Sequence, residues 1–272
     1  MINPTSTYRI QFHKDFSFQH FEAVLPYLHQ LGISTIYASP IFQAVPGSVH
    51  GYDAINPLKI NPEIGTEDDL RRISQRLKEY GMLWIQDIVP NHMAFDHRNP
   101  WLMDVLEKGQ QSKYADFFDI SWTSKLFKGQ VMVPFLGSTL EEVIEKGELQ
   151  LSYEQGRMVL KYYESFYPLH LRSYLKLFNT DPPNDAIKQL VKQIDAIHKI
   201  EDAEIISKNW DELLLQLSSL MKNEVVQKFV QQKIESVNNN KDLLKQIADD
   251  QVYRLCHWQE TDSRINYRRF FT

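Results

Sequence analysis

The first ninety residues alternate between short strand-like and longer helix-like segments, and this alternation restricts the chain to a small set of folds. In chain order we predict strand 7–12, helix 18–31, strand 33–38, helix 66–80 and strand 82–89. The helices show apolar residues at helical spacing, and Gly32 and Gly81 follow their last turns. Repeated strand–helix units with short returns predict a parallel sheet covered by helices, in the α/β class.

The connections that follow the predicted strands are longer and more polar than those that follow the helices. The connection from Pro40 to Gly65 is rich in Pro, Gly and Asn, and we predict a long loop there. The third strand, Met82–Val89, is almost continuously apolar, which predicts burial on both of its faces. In a (β/α)8 TIM barrel the loops after the strands form the active face. The pattern therefore predicts about three β/α units from the N-terminal part of such a barrel.

After residue 92 the alternation stops, and a mixed, mainly helical insertion is predicted after the third strand. Its first part, to about residue 180, is irregular and contains a β-hairpin at Leu149–Tyr162. Its second part, 185–250, is helical, and Asn238–Asn240 separates two of the helices. We therefore predict three regions, which are the barrel units at 1–92, the insertion at 93–252, and a return toward the barrel at 253–272 that stops before a fourth strand.

Composition excludes several classes of protein. The net charge of −5 leaves no basic surplus to neutralise phosphates, so a nucleic-acid partner is not expected. No stretch approaches the roughly 20 apolar residues that span a bilayer, and Met1–Arg9 has no signal-peptide character. The single cysteine, Cys256, cannot form an intrachain disulfide, which favours a reducing, cytoplasmic location. The sequence gives no prediction of oligomeric state.

A group of polar residues, Asp87, Asn91 and His92, follows the third predicted strand. A carboxylate at the end of a buried strand is costly unless it is hydrogen-bonded or functional. Asp87 can orient a neighbouring donor, Asn91 can tie the loop to the strand end, and His92 can donate to a sugar hydroxyl. For any one of these residues a structural role, such as a loop cap, is the commoner explanation. Together, at the top of a third β/α strand, they favour a functional site.

A second group, His50-Gly51-Tyr52-Asp53, lies in the loop after the second predicted strand. Tyr52 offers a flat face to a sugar ring, and His50 offers a hydrogen-bond donor. Gly51 allows the backbone to bring both into one pocket. Asp53 can accept from sugar hydroxyls or pair with a basic neighbour. Alone, the four residues fit a glycine turn with a packed tyrosine, but successive loops of a barrel converge on one face.

These two groups resemble conserved regions of a known family. The stretch Asp87–His92 resembles the first conserved region of the α-amylase superfamily, glycoside hydrolase family 13, and His50–Asp53 resembles the loop of its −1 subsite. More narrowly, the sequence is similar to maltooligosyl trehalose synthases, over residues 7 to about 122 and again from about 253. The stretches that carry this similarity are Thr7–Phe12, Tyr37–Pro40, Pro46–Asp53, Ile60–Gly65 and Asn266–Phe271.

The resemblance implies an isomerase that converts the reducing-end α-1,4 bond of a maltooligosaccharide into an α,α-1,1 bond. By the family pattern His50, Tyr52 and His92 contact the −1 sugar, while Asp87 and Asn91 shape that site beside Asp53. The family's nucleophile, acid/base and third carboxylate follow later strands, so they are expected beyond Thr272. No catalytic residue is therefore predicted within this chain. No cofactor and no full metal-ligand set is predicted, although a cation near Asn91 stays open.

Three functional hypotheses follow from the sequence. In the first, the chain is part of a trehalose-forming glycan isomerase that is active only with the rest of the barrel. In the second, it is a non-catalytic module that binds maltodextrin. In the third, it is a truncated gene product without independent function. An acid/base pair formed by Asp53 and Asp87 is a weaker alternative, because nothing marks either residue as a nucleophile.

Overall fold

A computed structural model describes residues 4–123, 129–197, 199–262 and 265 of the chain. The chain divides into two compact units, Met1–Pro100 (the first unit) and Trp101–Thr272 (the second unit). This boundary lies somewhat beyond the predicted end of the β/α region at residue 92, and the three-region division stays a prediction. The stretch Asn266–Phe271 lies outside the described residues. Across the described ranges, no helix combines the length and apolar character needed to cross a membrane.

The first unit follows the predicted alternation of strands and helices. Its described elements are β1 (Thr7–Ile10), α1 (Phe18–Gln30), β2 (Thr35–Ala38), β3 (Phe42–Ala44), β4 (Ala54–Ile60), α2 (Glu67–Glu79) and β5 (Leu83–Gln86). Strands β1, β2 and β5 form a parallel sheet in which β2 is central. These described strands make a mixed α/β unit and not a closed barrel. The three predicted β/α strands and both helices are confirmed, with the strands shorter than expected.

One face of this sheet carries the core of the first unit. Ile10, Ile36 and Ala38 are buried in one cluster with residues of both helices. Phe12 packs edge-on against Phe18 of α1, with ring centroids 5.1 Å apart. Helix α2 begins where predicted, because the Thr66 hydroxyl accepts from the backbone of Asp69, whose carboxylate accepts from the backbone of Thr66. These hydrogen bonds from Thr66 lower the pKa of the Asp69 carboxyl.

The opposite face of the sheet is exposed, and we call it the open face. It carries Arg9, Tyr37 and Ile85, which lie in register on the three strands. The predicted burial of Met82–Val89 on both faces is wrong, because Ile85 is 43% exposed and Ile88 is 59% exposed. The physical reason is that β5 forms an edge of the sheet and the core cluster, with α1 and α2, covers its other face.

The segment from Pro40 to Gly65 is not the plain loop that was predicted. It contains β3 and β4, which pair in an antiparallel arrangement with Ala44 opposite Ala54 and with two register shifts. Pro57 lies within β4 although proline cannot donate to a sheet ladder. The strand tolerates this proline because, among the described residues, β4 pairs with β3 alone.

The described residues of the second unit are mainly helical and form two small sheets. Its described elements are α3 (Pro100–Lys108), β6 (Val131–Leu136), α4 (Leu140–Glu145), β7 (Leu149–Glu154), β8 (Arg157–Tyr162), β9 (Ser165–Pro168), α5 (Leu171–Phe178), α6 (Asp185–Ile197), α7 (Ala203–Leu220), α8 (Glu224–Asn238), α9 (Lys241–Asp249) and β10 (Tyr253–His257). Strands β7, β8 and β9 form an antiparallel sheet, and β6 pairs in parallel with β10.

Several local predictions for the second unit are confirmed. The hairpin at Leu149–Tyr162 is present as β7 and β8, with Leu149 opposite Tyr162 and Glu154 opposite Arg157. The described part of 185–250 is mainly helical, as α6 to α9, and Asn240 caps the start of α9 after the end of α8. Strand β10, at the start of the segment predicted to return toward the barrel, pairs with β6 inside the second unit, and the predicted return stays a prediction.

Two charged residues at the end of α3 are buried in the second unit. Lys108 is fully enclosed, and its ammonium group lies 2.6 Å from Asp104 and 2.7 Å from Asp211. Glu107 is 1% exposed and pairs with Arg157 at 3.1 Å through Oε2. Its Oε1 has no hydrogen-bond partner among the described residues. Burial raises the pKa of Glu107 to about 7, because a charged carboxylate is poorly solvated there.

Candidate functional site

The candidate site lies on the first unit, where the parallel strands end. Asp87 comes directly after β5, and its backbone N–H donates to the carbonyl of Ala38 at the end of β2 at 2.9 Å. Tyr52 precedes β4 in the connection from β3. Side chains alternate between the faces of a strand, so Asp87 continues the row of Ile85 on the open face. The site is therefore built on the carboxyl ends of neighbouring strands.

Tyr52 and Asp87 are in direct contact. The Tyr52 hydroxyl donates to Oδ2 of Asp87 at 2.5 Å, and the Tyr37 hydroxyl donates to the same oxygen at 3.2 Å. Arg9 donates from Nη2 to the Tyr52 hydroxyl at 3.0 Å, and its Nη1 lies 3.6 Å from Oδ2 of Asp87. The Arg9 guanidinium also lies over the Tyr37 ring, 5.0 Å from its centroid. We call Arg9, Tyr37, Tyr52 and Asp87 the polar cluster.

The electrostatics of the polar cluster affect the Tyr52 hydroxyl most clearly. Its hydrogen bond to Asp87 raises the pKa of Tyr52, because losing the proton would place a phenolate beside a carboxylate. The hydrogen bond from Arg9 acts in the opposite direction and lowers it. The same contact, with Tyr52, raises the pKa of Arg9. Tyr52 therefore stays a neutral donor at physiological pH.

The loop of His50 and Asp53 is ordered by short-range hydrogen bonds. The Ser48 hydroxyl donates to Oδ1 of Asp53 at 2.5 Å, and the Tyr52 backbone N–H donates to Nδ1 of His50 at 3.0 Å. Because Nδ1 accepts, a neutral His50 carries its proton on Nε2. The His50 ring lies beside the Tyr52 ring, with centroids 5.9 Å apart, and its Nδ1 is 3.7 Å from Asp53.

Gly51 is required by the geometry of this loop. Its φ is +75°, which favours glycine, and an added Cβ would lie 2.7 Å from the carbonyl oxygen of Pro40. No side chain fits at that distance unless the backbone moves. Gly51 therefore lets the loop pass close to the end of β2 and brings Tyr52 to Asp87.

Asn91 and His92 lie in the loop after β5. Nδ1 of His92 and Oδ1 of Asn91 are 3.3 Å apart, so the imidazole donates to the amide oxygen. A backbone hydrogen bond joins this loop to the other one, from the N–H of Ala94 to the carbonyl of Ala54 at 2.8 Å. His92 and Tyr52 each lie two residues from that junction. The two predicted loops are thus adjacent in the first unit.

The structure brings Tyr52 into direct contact with Asp87, places His50 against Tyr52 and Asp53, and pairs Asn91 with His92. Asp53 and Asp87 have different partners, which gives no support to an acid/base pair. In the part of the chain that the structure describes, no group of three or more His, Cys, Asp or Glu side chains is arranged to hold a metal ion. The substrate-binding roles of the six residues stay predictions.

Sequence reasoning missed two members of the polar cluster, Arg9 and Tyr37. Both lie in segments that were predicted to be strands and that carry the family resemblance, but neither residue was assigned a role in the site. The signal that could have identified them is the register of the strands. Because β1, β2 and β5 are parallel, Arg9 lies beside Tyr37 and Tyr37 lies beside Ile85. Asp87 is two residues after Ile85 and therefore points to the same face of the sheet.

Comparison with known proteins identifies the relatives of this fold. The α-amylase catalytic domain matches residues 21–155. A Mycobacterium tuberculosis protein provisionally named as a maltooligosyl trehalose synthase is 44% identical over 166 residues, which is 56% of this chain and 21% of that protein. A maltogenic α-amylase of Bacillus acidopullulyticus is 40% identical over 96 residues, which is 35% of this chain and 16% of that enzyme.

Two solved structures extend the similarity to nearly the whole chain. A glycosyltrehalose synthase aligns with a TM-score of 0.65 and 30% identity, covering 98% of this chain and 28% of its own. The maltooligosyltrehalose synthase from Arthrobacter ramosus aligns with a TM-score of 0.63 and 27% identity, covering 98% of this chain and 26% of its own. The chain thus spans between 21% and 28% of the length of these synthases. The chain is similar to a part of the maltooligosyl trehalose synthases, and the match to the α-amylase catalytic domain takes in about half of its residues.

Proposed function

We propose that this chain supplies the glucose-binding part of a maltooligosyl trehalose synthase-like isomerase, with His50, Tyr52, Asp53, Asp87, Asn91 and His92 as its substrate-binding residues. The observation that carries the proposal is the contact between Tyr52 and Asp87 at the carboxyl ends of the strands. Two solved structures that align with 98% of the chain bear synthase names, which supports this reaction over plain hydrolysis.

The polar cluster suits a sugar hydroxyl because it leaves one carboxylate oxygen available. The Tyr52, Tyr37 and Arg9 contacts all meet at Oδ2 of Asp87. Oδ1 accepts no hydrogen bond within the described part of the chain, and the Asp87 side chain is 17% exposed to solvent. His50, whose Nδ1 accepts from the Tyr52 backbone, presents Nε2–H as a donor, so one acceptor and one donor flank the Tyr52 ring.

The proposed reaction moves one glucosyl bond without consuming water. The α-1,4 bond at the reducing end breaks, and the anomeric hydroxyl of the released glucose then attacks the glycosyl carbon to form the α,α-1,1 bond. In retaining chemistry of this kind two carboxyl groups about 5 Å apart act as nucleophile and acid/base. The proposal assigns neither role to a residue of this chain, which provides substrate contacts.

Calorimetric titration of maltopentaose into the chain tests whether the site binds glucan. We expect binding that weakens about tenfold in Tyr52→Ala and in His92→Ala, because each loses a sugar contact and a typical hydrogen bond contributes up to about 1.5 kcal/mol. Tyr27→Ala is the matched control, because Tyr27 is an exposed tyrosine on α1. Heat no greater than the dilution blank would eliminate the glucan-binding role.

Loss of the reducing end of maltopentaose distinguishes an isomerase from a module that only binds maltodextrin. In a longer protein that joins this chain to the remaining barrel strands, the proposal expects maltopentaose to lose its reducing end without loss of chain length. Tyr52→Ala and His92→Ala should then lower that rate while the circular dichroism spectrum stays that of the folded protein. A protein that binds maltopentaose and leaves every reducing end intact would instead be a maltodextrin-binding module.

The location of the protein is a further part of the proposal. Cys256 is buried and has no disulfide partner, and burial raises the pKa of its thiol to about 12. A cysteine held as an unreactive thiol fits a reducing compartment. We propose a cytoplasmic location on this basis.

A further inference from the structure

Arg9 connects parts of the site that lie on different strands and loops. It lies on β1, its guanidinium covers the Tyr37 ring of β2, and it reaches Tyr52 in the connection before β4. Its Nη2 also donates to Oε1 of Gln11 at 3.2 Å, and Nε2 of Gln11 donates to the carbonyl of Val49 at 2.8 Å. Arg9 therefore contacts the loop of His50 directly at Tyr52 and, through Gln11, at Val49.

The hydrogen bonds of Tyr52 have only one consistent direction. A guanidinium can only donate, and an ionised carboxylate can only accept. Because Arg9 donates to the Tyr52 oxygen, the one hydroxyl proton of Tyr52 points to Asp87. Arg9 thus fixes both the position of the hydroxyl and the direction of its proton, and the ring plane follows from the two contacts.

Arg9 also provides the charge that the cluster needs. The Asp87 carboxylate receives two neutral hydroxyl donors at Oδ2, while Arg9 is the cation that pairs with it. Stacking on Tyr37 holds the guanidinium in place and leaves its edge free to point at Tyr52 and Asp87. Arginine is suited to this position because its planar fork can serve both partners.

We propose that Arg9 is a positioning residue of the candidate site, which holds the Tyr52 ring and the Asp87 carboxylate in one orientation so that a glucose ring meets a fixed aromatic face and a fixed Oδ1. The proposal rests on the proposed function and extends it to a residue outside the six assigned substrate contacts. Arg9 acts through Tyr52 and Asp87 and forms no part of the bond-breaking chemistry.

The test measures Tyr52 directly, without a ligand. NMR titration of tyrosine labelled at Cζ follows the ionisation of Tyr52, with Tyr52→Phe identifying its signal. Arg9→Gln is expected to raise the pKa of Tyr52, because the cation that favours the phenolate is removed while Asp87 remains. Arg9→Lys restores the positive charge and should return the pKa of Tyr52 toward that of the wild type. An exposed arginine on α2 that pairs with Glu67 supplies the control, Arg71→Gln.

Maltopentaose affinity gives the second reading on the same variants. We expect Arg9→Gln to weaken binding about tenfold, Arg9→Lys to recover part of the loss, and Arg71→Gln to bind like the wild type. An unchanged Tyr52 titration in Arg9→Gln, or a changed titration with unchanged affinity, overturns the positioning role. A wild-type chain that binds no maltopentaose overturns the proposed function, and the Tyr52 titration then still reports whether Arg9 orders the cluster.

Discussion

Gly65→Ala is expected to destabilise the first unit by about 3–5 kcal/mol. Gly65 has a φ of +150°, and an added Cβ would lie 2.6 Å from Cδ2 of Phe18. Strained backbone costs about 1–3 kcal/mol and overpacking a further 1–3 kcal/mol. The Phe18 ring cannot move aside easily, since it is fully buried and packs edge-on against Phe12. Urea unfolding followed by circular dichroism gives the free energy of unfolding for this comparison.

A matched glycine separates backbone strain from crowding. Gly81, after α2, has a φ of +64° and nothing within 4 Å of an added Cβ. Gly81→Ala should therefore lower the free energy of unfolding only through backbone strain, by about 1–2 kcal/mol. If Gly65→Ala proved no more destabilising than Gly81→Ala, the close packing of the Gly65 backbone on Phe18 would be wrong.

The buried carboxylate of Glu107 is expected to make the second unit less stable as the pH rises from 5 to 8. Burial raises its pKa to about 7, whereas an unfolded glutamate titrates near 4.5. Between these two values the folded state holds a proton that the unfolded state has lost. Stability from this group is therefore greatest at low pH, and it falls until the folded group ionises near pH 7.

Glu107→Gln removes this dependence, because a glutamine is neutral at every pH and can still accept from Arg157. The wild type should lose about 2–3 kcal/mol more unfolding free energy between pH 5 and pH 8 than Glu107→Gln does. Glu145→Gln is the control, since Glu145 lies at the solvent-exposed end of α4. Equal losses in the wild type and in Glu107→Gln would show that Glu107 is already ionised at pH 5.

The order of elements could be predicted because local signals agree with the fold. The apolar spacing in α1, the Thr66 cap of α2 and the glycine after each helix all point to the same arrangement. The predictions that were wrong, for the burial of the third strand and for the loop at Pro40–Gly65, depend on neighbouring strands that the sequence does not reveal. The apolar run after Gly81 looks like a doubly buried strand, but it lies at a sheet edge with one face open. The Pro, Gly and Asn content of Pro40–Gly65 predicted a loop and concealed β4, whose pairing with β3 follows from tertiary structure.

The candidate site was predicted in part. Asp87 was singled out because a carboxylate at the end of a buried strand is costly without a partner or a function, and Tyr52 because its flat ring can face a sugar. The structure places the two in contact. Arg9 and Tyr37 were missed because their importance comes from strand register, which aligns them on the open face. Buried charges such as Glu107 were also missed, since an acidic residue on an amphipathic helix normally faces solvent.

The central claim is that the loops of Tyr52 and His92 receive the same glucose ring, and a crystal structure of the chain with maltotriose measures this directly. The account predicts one pyranose ring within about 4 Å of the Tyr52 ring, with a hydroxyl in hydrogen-bonding reach of the His92 imidazole. A maltotriose bound elsewhere, or one whose sugar contacts Tyr52 while His92 points away from it, would contradict the account.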